Sequence, residues 1–201
     1  MFVHDKGNLK SAQTSGNSSS SSFVLKGLVV EEKLVKDTLR VILHTILFQR
    51  ELGIVIPRTV ESDSGIHYLT LNDINTDKIV EENLSGVCSR LSELNSGTVV
   101  LAFYQLIKKK AFLLFQENSK QVWEEWKIPL RVVQSDGKKP DGKFVKRLRK
   151  VLFQVIERIC LKKDHLPPMG QPDDPNVIRY PFEISFSGDM GDLYFVQKNI
   201  G

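Results

Sequence analysis

The apolar positions change period several times along the chain, and each change marks an element. Phe23 to Val30 is an apolar run of strand length. After Glu31-Glu32 the spacing turns helical. Val35, Leu39, Ile42, Leu43, Ile46 and Leu47 share one face, acidic residues open the segment in keeping with the helix dipole, and Gly53 supplies a stop. Residues 54–68 contain Pro57 and Gly65 and read as irregular structure or a short hairpin. A second helix is expected from Thr76, as N-cap, to Leu94. Its stripe is Val80, Leu84, Val87, Cys88, Leu91 and Leu94, and Asn95-Ser96-Gly97 ends it.

Thr98 to Ile107 is rich in β-branched and aromatic residues and predicts a strand, followed by a second over Val122 to Val133. The connection between them is too long for a tight hairpin and is unusually apolar. Asp141 can cap a third helix carrying Phe144, Val145, Leu148, Val151, Leu152, Val155, Ile156 and Ile159, with Pro167-Pro168 beyond its end. Phe182, Ile184 and Phe186 then alternate with polar residues, and Leu193 to Val196 can return beside them as a terminal hairpin. Strands and helices do not alternate regularly, so the order β-α-α-β-β-α-β-β predicts an α+β fold over a doubly wound parallel sheet.

Composition changes this picture little. A chain of 201 residues can bury one core, and its 28 Lys and Arg against 24 Asp and Glu leave only +4, too mild to name a nucleic-acid or membrane partner. Residues 1–22, ending in Ser-Gly-Asn and five serines, have too little apolar surface to order and read as a tail, native or added, before a single domain over 23–201. Cys88 and Cys160 sit in apolar helical patterns and are expected as free, buried thiols of a reducing compartment. With no secretory signal and no apolar run near the roughly 18 residues of a membrane span, a cytoplasmic location is expected.

Catalytic chemistry finds little support. Gly137 to Lys143 matches G-x-x-x-x-G-K between a strand and a helix, as a phosphate-binding loop requires. Yet Phe144 replaces the magnesium-binding hydroxyl, Asp141 sets negative charge against a phosphate, and Pro140 removes a backbone donor. A basic turn entering a helix explains the segment, and phosphate or nucleotide binding stays as the alternative. His4, His44, His67 and His165 have no second ligand at zinc spacing, and His44 reads as a hydrogen-bonded, half-buried side chain. No nucleophile motif is present, so no enzyme, cofactor or metal is expected.

Three features suggest binding. Lys108, Lys109 and Lys110 open a connection holding Phe112, Leu113, Leu114 and Phe115, which are either core or a docking patch. With Lys146, Arg147 and Lys150 of the third helix the three lysines form a candidate basic patch, either a solvated face or a site for anionic lipid or an acidic protein. Nucleic acid is not expected, since the charges lack interleaved aromatics. Trp123 and Trp126 share one strand and, three residues apart, are expected on opposite faces; Pro129 predicts an edge or a bulge.

These pieces resemble the autophagy-related protein 101 family, whose members are HORMA-domain subunits of the autophagy-initiation kinase complex. The matching stretches are Val41 to Arg50, Phe103-Tyr104-Gln105 leading to the tri-lysine, Trp123-Glu124-Glu125-Trp126, His165 to Met169, and Tyr180 to Phe186. The resemblance implies a central antiparallel sheet with three packed helices and no catalytic activity. It implies pairing with the HORMA domain of autophagy-related protein 13 through a surface including Arg147, Lys150 and Gln154, and residence at the autophagosome assembly site. It also implies a C-terminal segment in an open arrangement and an exposed finger that recruits downstream autophagy factors. That finger falls on Phe112 to Phe115, with Leu113 at the family's Trp position and Phe115 at its Phe.

Overall fold

A computed structural model describes residues 20–51, 53–110, 116–134, 142–167, 180–188 and 193–195. The chain forms β1 (Ser21–Val24), β2 (Leu28–Glu31), a 3-10 turn, α1 (Val35–Gln49), β3 (Arg58–Glu61), β4 (His67–Thr70), α2 (Ile74–Leu94), β5 (Ser96–Lys110), β6 (Gln116–Val133), α3 (Gly142–Leu161), β7 (Phe182–Ser187) and β8 (Leu193–Phe195). The main sheet has the order β1-β6-β5-β7-β8, with β2 also on β6, and β3-β4 form a separate pair. The result is a mixed fold of a central sheet and three helices, in keeping with the α+β expectation.

α1 is the hub. Leu39, Val41, Ile42, Leu43 and Ile46 are all fully buried and point around most of its circumference, as in a helix enclosed by protein. It touches β4, α2 and α3. The helix α3 gives the core a narrower stripe, Phe144, Leu148, Val151, Val155 and Ile159, leaving the rest of its surface outside.

Several expected elements differ in detail. The strand expected over Phe23 to Val30 is two strands, both parallel to β6, so the sheet is antiparallel only from β6 to β8. Pairing breaks at residues 25–27, opposite Pro129, whose ring leaves no N–H to share there; Gly27 passes close to that ring. Pro129 is therefore not on an edge strand: β6 is covered by β5 on one side and by β1 and β2 on the other. Asp73, not Thr76, caps α2, its Oδ2 accepting from the Thr76 amide at 2.9 Å and the Thr76 hydroxyl at 2.7 Å. Asn95 ends α2 in the left-handed conformation (φ 57°). Residues 54–68 contain the β3-β4 hairpin, turned at Gly65 with φ 71°. The terminal hairpin forms as β7-β8. Neither cysteine is fully buried: Cys88 is half-covered and Cys160 is exposed.

Candidate functional site

The most concentrated chemistry lies beneath the sheet. On β6 the inward positions alternate as Glu124, Trp126, Ile128, Leu130 and Val132, which puts a carboxylate on the apolar face with no exposed surface. Arg50, just past the end of α1, answers it with Nε at 2.8 Å and Nη2 at 2.6 Å from the two oxygens. Trp126 Nε1 donates to Oε1 at 2.5 Å, and His165 Nε2 lies 2.5 Å from Oε2. A carboxylate only accepts, so His165 carries its proton on Nε2. This pins three separate parts of the chain: the end of α1, the middle of β6 and the turn after α3.

An aromatic shell encloses the pair. The sheet register shifts between Phe103 and Tyr104, where Glu124 and Val122 are their partners, so Trp123 is an inserted residue. That bulge turns Trp123 to the same side as Trp126, against the opposite faces expected from strand alternation. Its ring meets Tyr180 at 4.6 Å and His165 at 5.9 Å, while Phe23 stacks on Trp126 at 4.5 Å. Tyr180 also donates its hydroxyl to the Pro167 carbonyl at 3.1 Å. Arg50, Phe103, Glu124, His165 and Tyr180, from five separate stretches that carried the family resemblance, thus meet at one point. The network has no opening to solvent, since the Arg50, Glu124 and His165 side chains are at most 4% exposed, so its chemistry is structural.

A second, polar cluster joins α1 to α2 and the hairpin. Arg40 holds Glu81 with two bonds, at 2.5 and 3.0 Å, and Lys36 adds a third contact at 3.0 Å. The hydrogen bond from Arg40 holds the Glu81 carboxyl at about 2, well below its ordinary range. His44 is buried instead of half-exposed, its Nδ1 has no partner among the described residues, and Asp77 stands 3.9 Å from Nε2. Burial lowers the His44 pKa, and the same effect raises that of Asp37.

Two of these shifts give stability the same sign. Glu81 stabilises the fold above its unfolded value near 4.5, and that contribution disappears as pH falls from there toward 2. For His44 the loss begins below about 6.5, where the unfolded chain takes a proton that the folded site resists. Asp37 acts oppositely, favouring the fold in acid and losing that contribution above 3.8. Urea melts from pH 7 to pH 5 should therefore show falling stability, and His44→Gln should flatten that slope. An unchanged slope in the variant would remove His44 from the account. Below pH 4.5 the loss from Glu81, discounted for its partial exposure, should reach about 1 kcal/mol.

The surface offers two further places. Beside α3, Gly65, Ile66 and His67 of the hairpin face Arg149, Leu152, Phe153 and Ile156 across a groove of about 480 Å³. Phe153 is 70% exposed there and Ile156 40%. The other place is the far end of β5 and β6. Past Phe103 and Glu124 these strands lose β7 and β1 and continue as a two-stranded ribbon to Lys110 opposite Gln116. Lys120 steadies its base, 2.9 Å from Glu183 and 4.7 Å from the Tyr104 ring.

Of the residues singled out from sequence, Lys108, Lys109 and Lys110 lie in that ribbon, paired with Asn118, Glu117 and Gln116. Phe112, Leu113, Leu114 and Phe115 fall outside the described residues, as do Gly137 to Asp141 of the phosphate-loop match. Lys146, Arg147 and Lys150 are exposed on the first half of α3. Gln154 accepts the Lys26 backbone amide at 2.9 Å, beside the break between β1 and β2. That contact sits some eleven β6 residues from Asn118, on the order of 35 Å of strand, and Lys150 lies one helical turn farther away. The two lysine groups are therefore separate surfaces. Among the described residues no group of His, Cys, Asp and Glu could hold a metal ion, and no helix is long and apolar enough to cross a membrane.

A family model described as autophagy-related protein 101 matches residues 27–173, well over half of the chain. The chain belongs to the autophagy-related protein 101 family. Consistent with that membership, it is 31% identical to "Autophagy-related protein 101" of Arabidopsis thaliana, over 85% of this chain and 88% of that protein. The family match spans Arg50, Glu124 and His165, and ends before Tyr180.

Proposed function

We propose that this chain is a non-catalytic adaptor of autophagy initiation. In this reading it is a HORMA-domain protein that pairs with the HORMA domain of autophagy-related protein 13, stabilises it, and supports the initiation kinase complex at the autophagosome assembly site in the cytoplasm. Family membership supports the autophagy role. The observation that carries the pairing is the groove along α3. Monomers rarely leave an aromatic ring as open as Phe153 beside a second apolar side chain and a concave wall without a use. We place the pairing surface there, on Arg149, Leu152, Phe153 and Ile156 and the hairpin tip. Arg147 and Lys150 lie outside that groove, and Gln154 is engaged by Lys26.

The β8 strand, folded back on β7, supports an open arrangement of the C-terminal segment. Recruitment of downstream factors is assigned to Phe112, Leu113, Leu114 and Phe115, which follow the tri-lysine in the sequence and fall outside the described residues. The test is direct. Mixed at about micromolar concentration, this chain and the partner's HORMA domain should elute together as a one-to-one complex on size exclusion, and separate elution would count against the reading.

A further inference from the structure

We propose that the flank of α3 turned away from the groove docks on a bilayer rich in anionic headgroups. Between residues 143 and 163 the chain has eight Lys and Arg and one Glu, all of them exposed. The whole chain has 28 basic and 24 acidic residues, so the remainder carries 20 against 23. Positive charge is thus gathered on one helix of an otherwise slightly acidic molecule. Such segregation orients a protein toward an anionic surface before contact.

Helical spacing separates this flank from the pairing groove. At about 100° per residue, Arg147, Lys150, Arg158 and Leu161 fall about a third of a turn or more from Leu152 and Ile156, with Lys150 and Leu161 nearer, about 60–80°, to Phe153 at the groove's outer rim. The Gln154 contact with the Lys26 amide places the exposed Lys26 on the same side. Leu161 is 77% exposed at the end of the helix, next to Lys162 and Lys163, and can enter the headgroup layer while the lysines stay at its surface. Five of the eight basic residues are lysines. Protein interfaces are depleted in lysine, whereas a headgroup layer accepts flexible ammonium groups in any register. The observations therefore favour lipid over an acidic protein.

The probe is flotation of the full chain with vesicles of phosphatidylcholine alone or with about one-third phosphatidylserine. The protein should float with the anionic vesicles only, and about 0.5 M salt should release it. Arg147→Glu and Lys150→Glu together should lower the bound fraction at least about tenfold with the melting curve unchanged. Arg158→Glu with Leu161→Asp should do the same from the other end of the helix. Reversal of Lys108, Lys109 and Lys110 should leave most binding intact. The proposal is overturned by absence of flotation, by α3 variants that bind like the parent, or by loss confined to the tri-lysine variant. Retention on immobilised polyglutamate without flotation would assign the flank to an acidic protein and also overturn it.

Discussion

Glu124→Ala should lower the free energy of unfolding by about 3–5 kcal/mol, seen as a fall of about 10 °C or more in the melting midpoint. The size follows from what the substitution leaves behind. Arg50 would stay buried with its charge unanswered, and the indole of Trp126 and the imidazole of His165 would each lose an acceptor. Removing both charges should cost less than removing one. Glu124→Leu with Arg50→Met should recover much of the loss, because an apolar pair of similar volume avoids an unpaired buried ion. Chemical denaturation of the parent, Glu124→Leu, Arg50→Met and the double variant gives the coupling directly. Additive single effects would mean that the pair is not a unit. Because the network joins α1, β6 and the turn after α3, its loss should also loosen the His165 to Pro167 turn, which hydrogen exchange can follow.

The sequence makes the frame of the fold legible and conceals its centre. The long periodic segments, α1, α2, α3 and β5, are where helical or strand spacing places them, because a core-facing stripe leaves a regular trace. Glu124 left a trace too: counting back by twos from Val132 puts it on the face of Leu130, Ile128 and Trp126. Reading Trp123 by the same rule fails, because one inserted residue shifts the parity and nothing local announces it. The cap of α2 moved from Thr76 to Asp73 for a similar reason. Both residue types cap helices, and only the three-residue spacing of the actual bonds selects between them. The groove beside α3 was not legible at all. Ile156 belongs to an apolar pattern that reads as core, Phe153 stands outside that pattern, and the wall that faces them depends on where the hairpin tip stops.

That exposure makes Phe153→Asp the sharpest test of the pairing surface. An exposed position on a helix otherwise held by Phe144, Leu148, Val151, Val155 and Ile159 should tolerate the change, with stability within about 0.5 kcal/mol of the parent. Affinity for the partner's HORMA domain should fall by roughly 30-fold or more, since a buried aromatic anchor at an interface commonly carries 2 kcal/mol or above. Ile156→Asp should act in the same direction with a smaller effect, as that side chain begins less exposed. Arg147→Glu, about a third of a turn or more around the helix from Leu152, Phe153 and Ile156, should bind nearly as the parent does. Isothermal titration of the three variants separates the possibilities. A Phe153→Asp variant that keeps its affinity moves the interface off this groove, whereas a large loss for Arg147→Glu alone would return it to the basic side of α3. The pattern across both flanks matters more than any single value, because it shows which side of one helix meets the partner and which stays free.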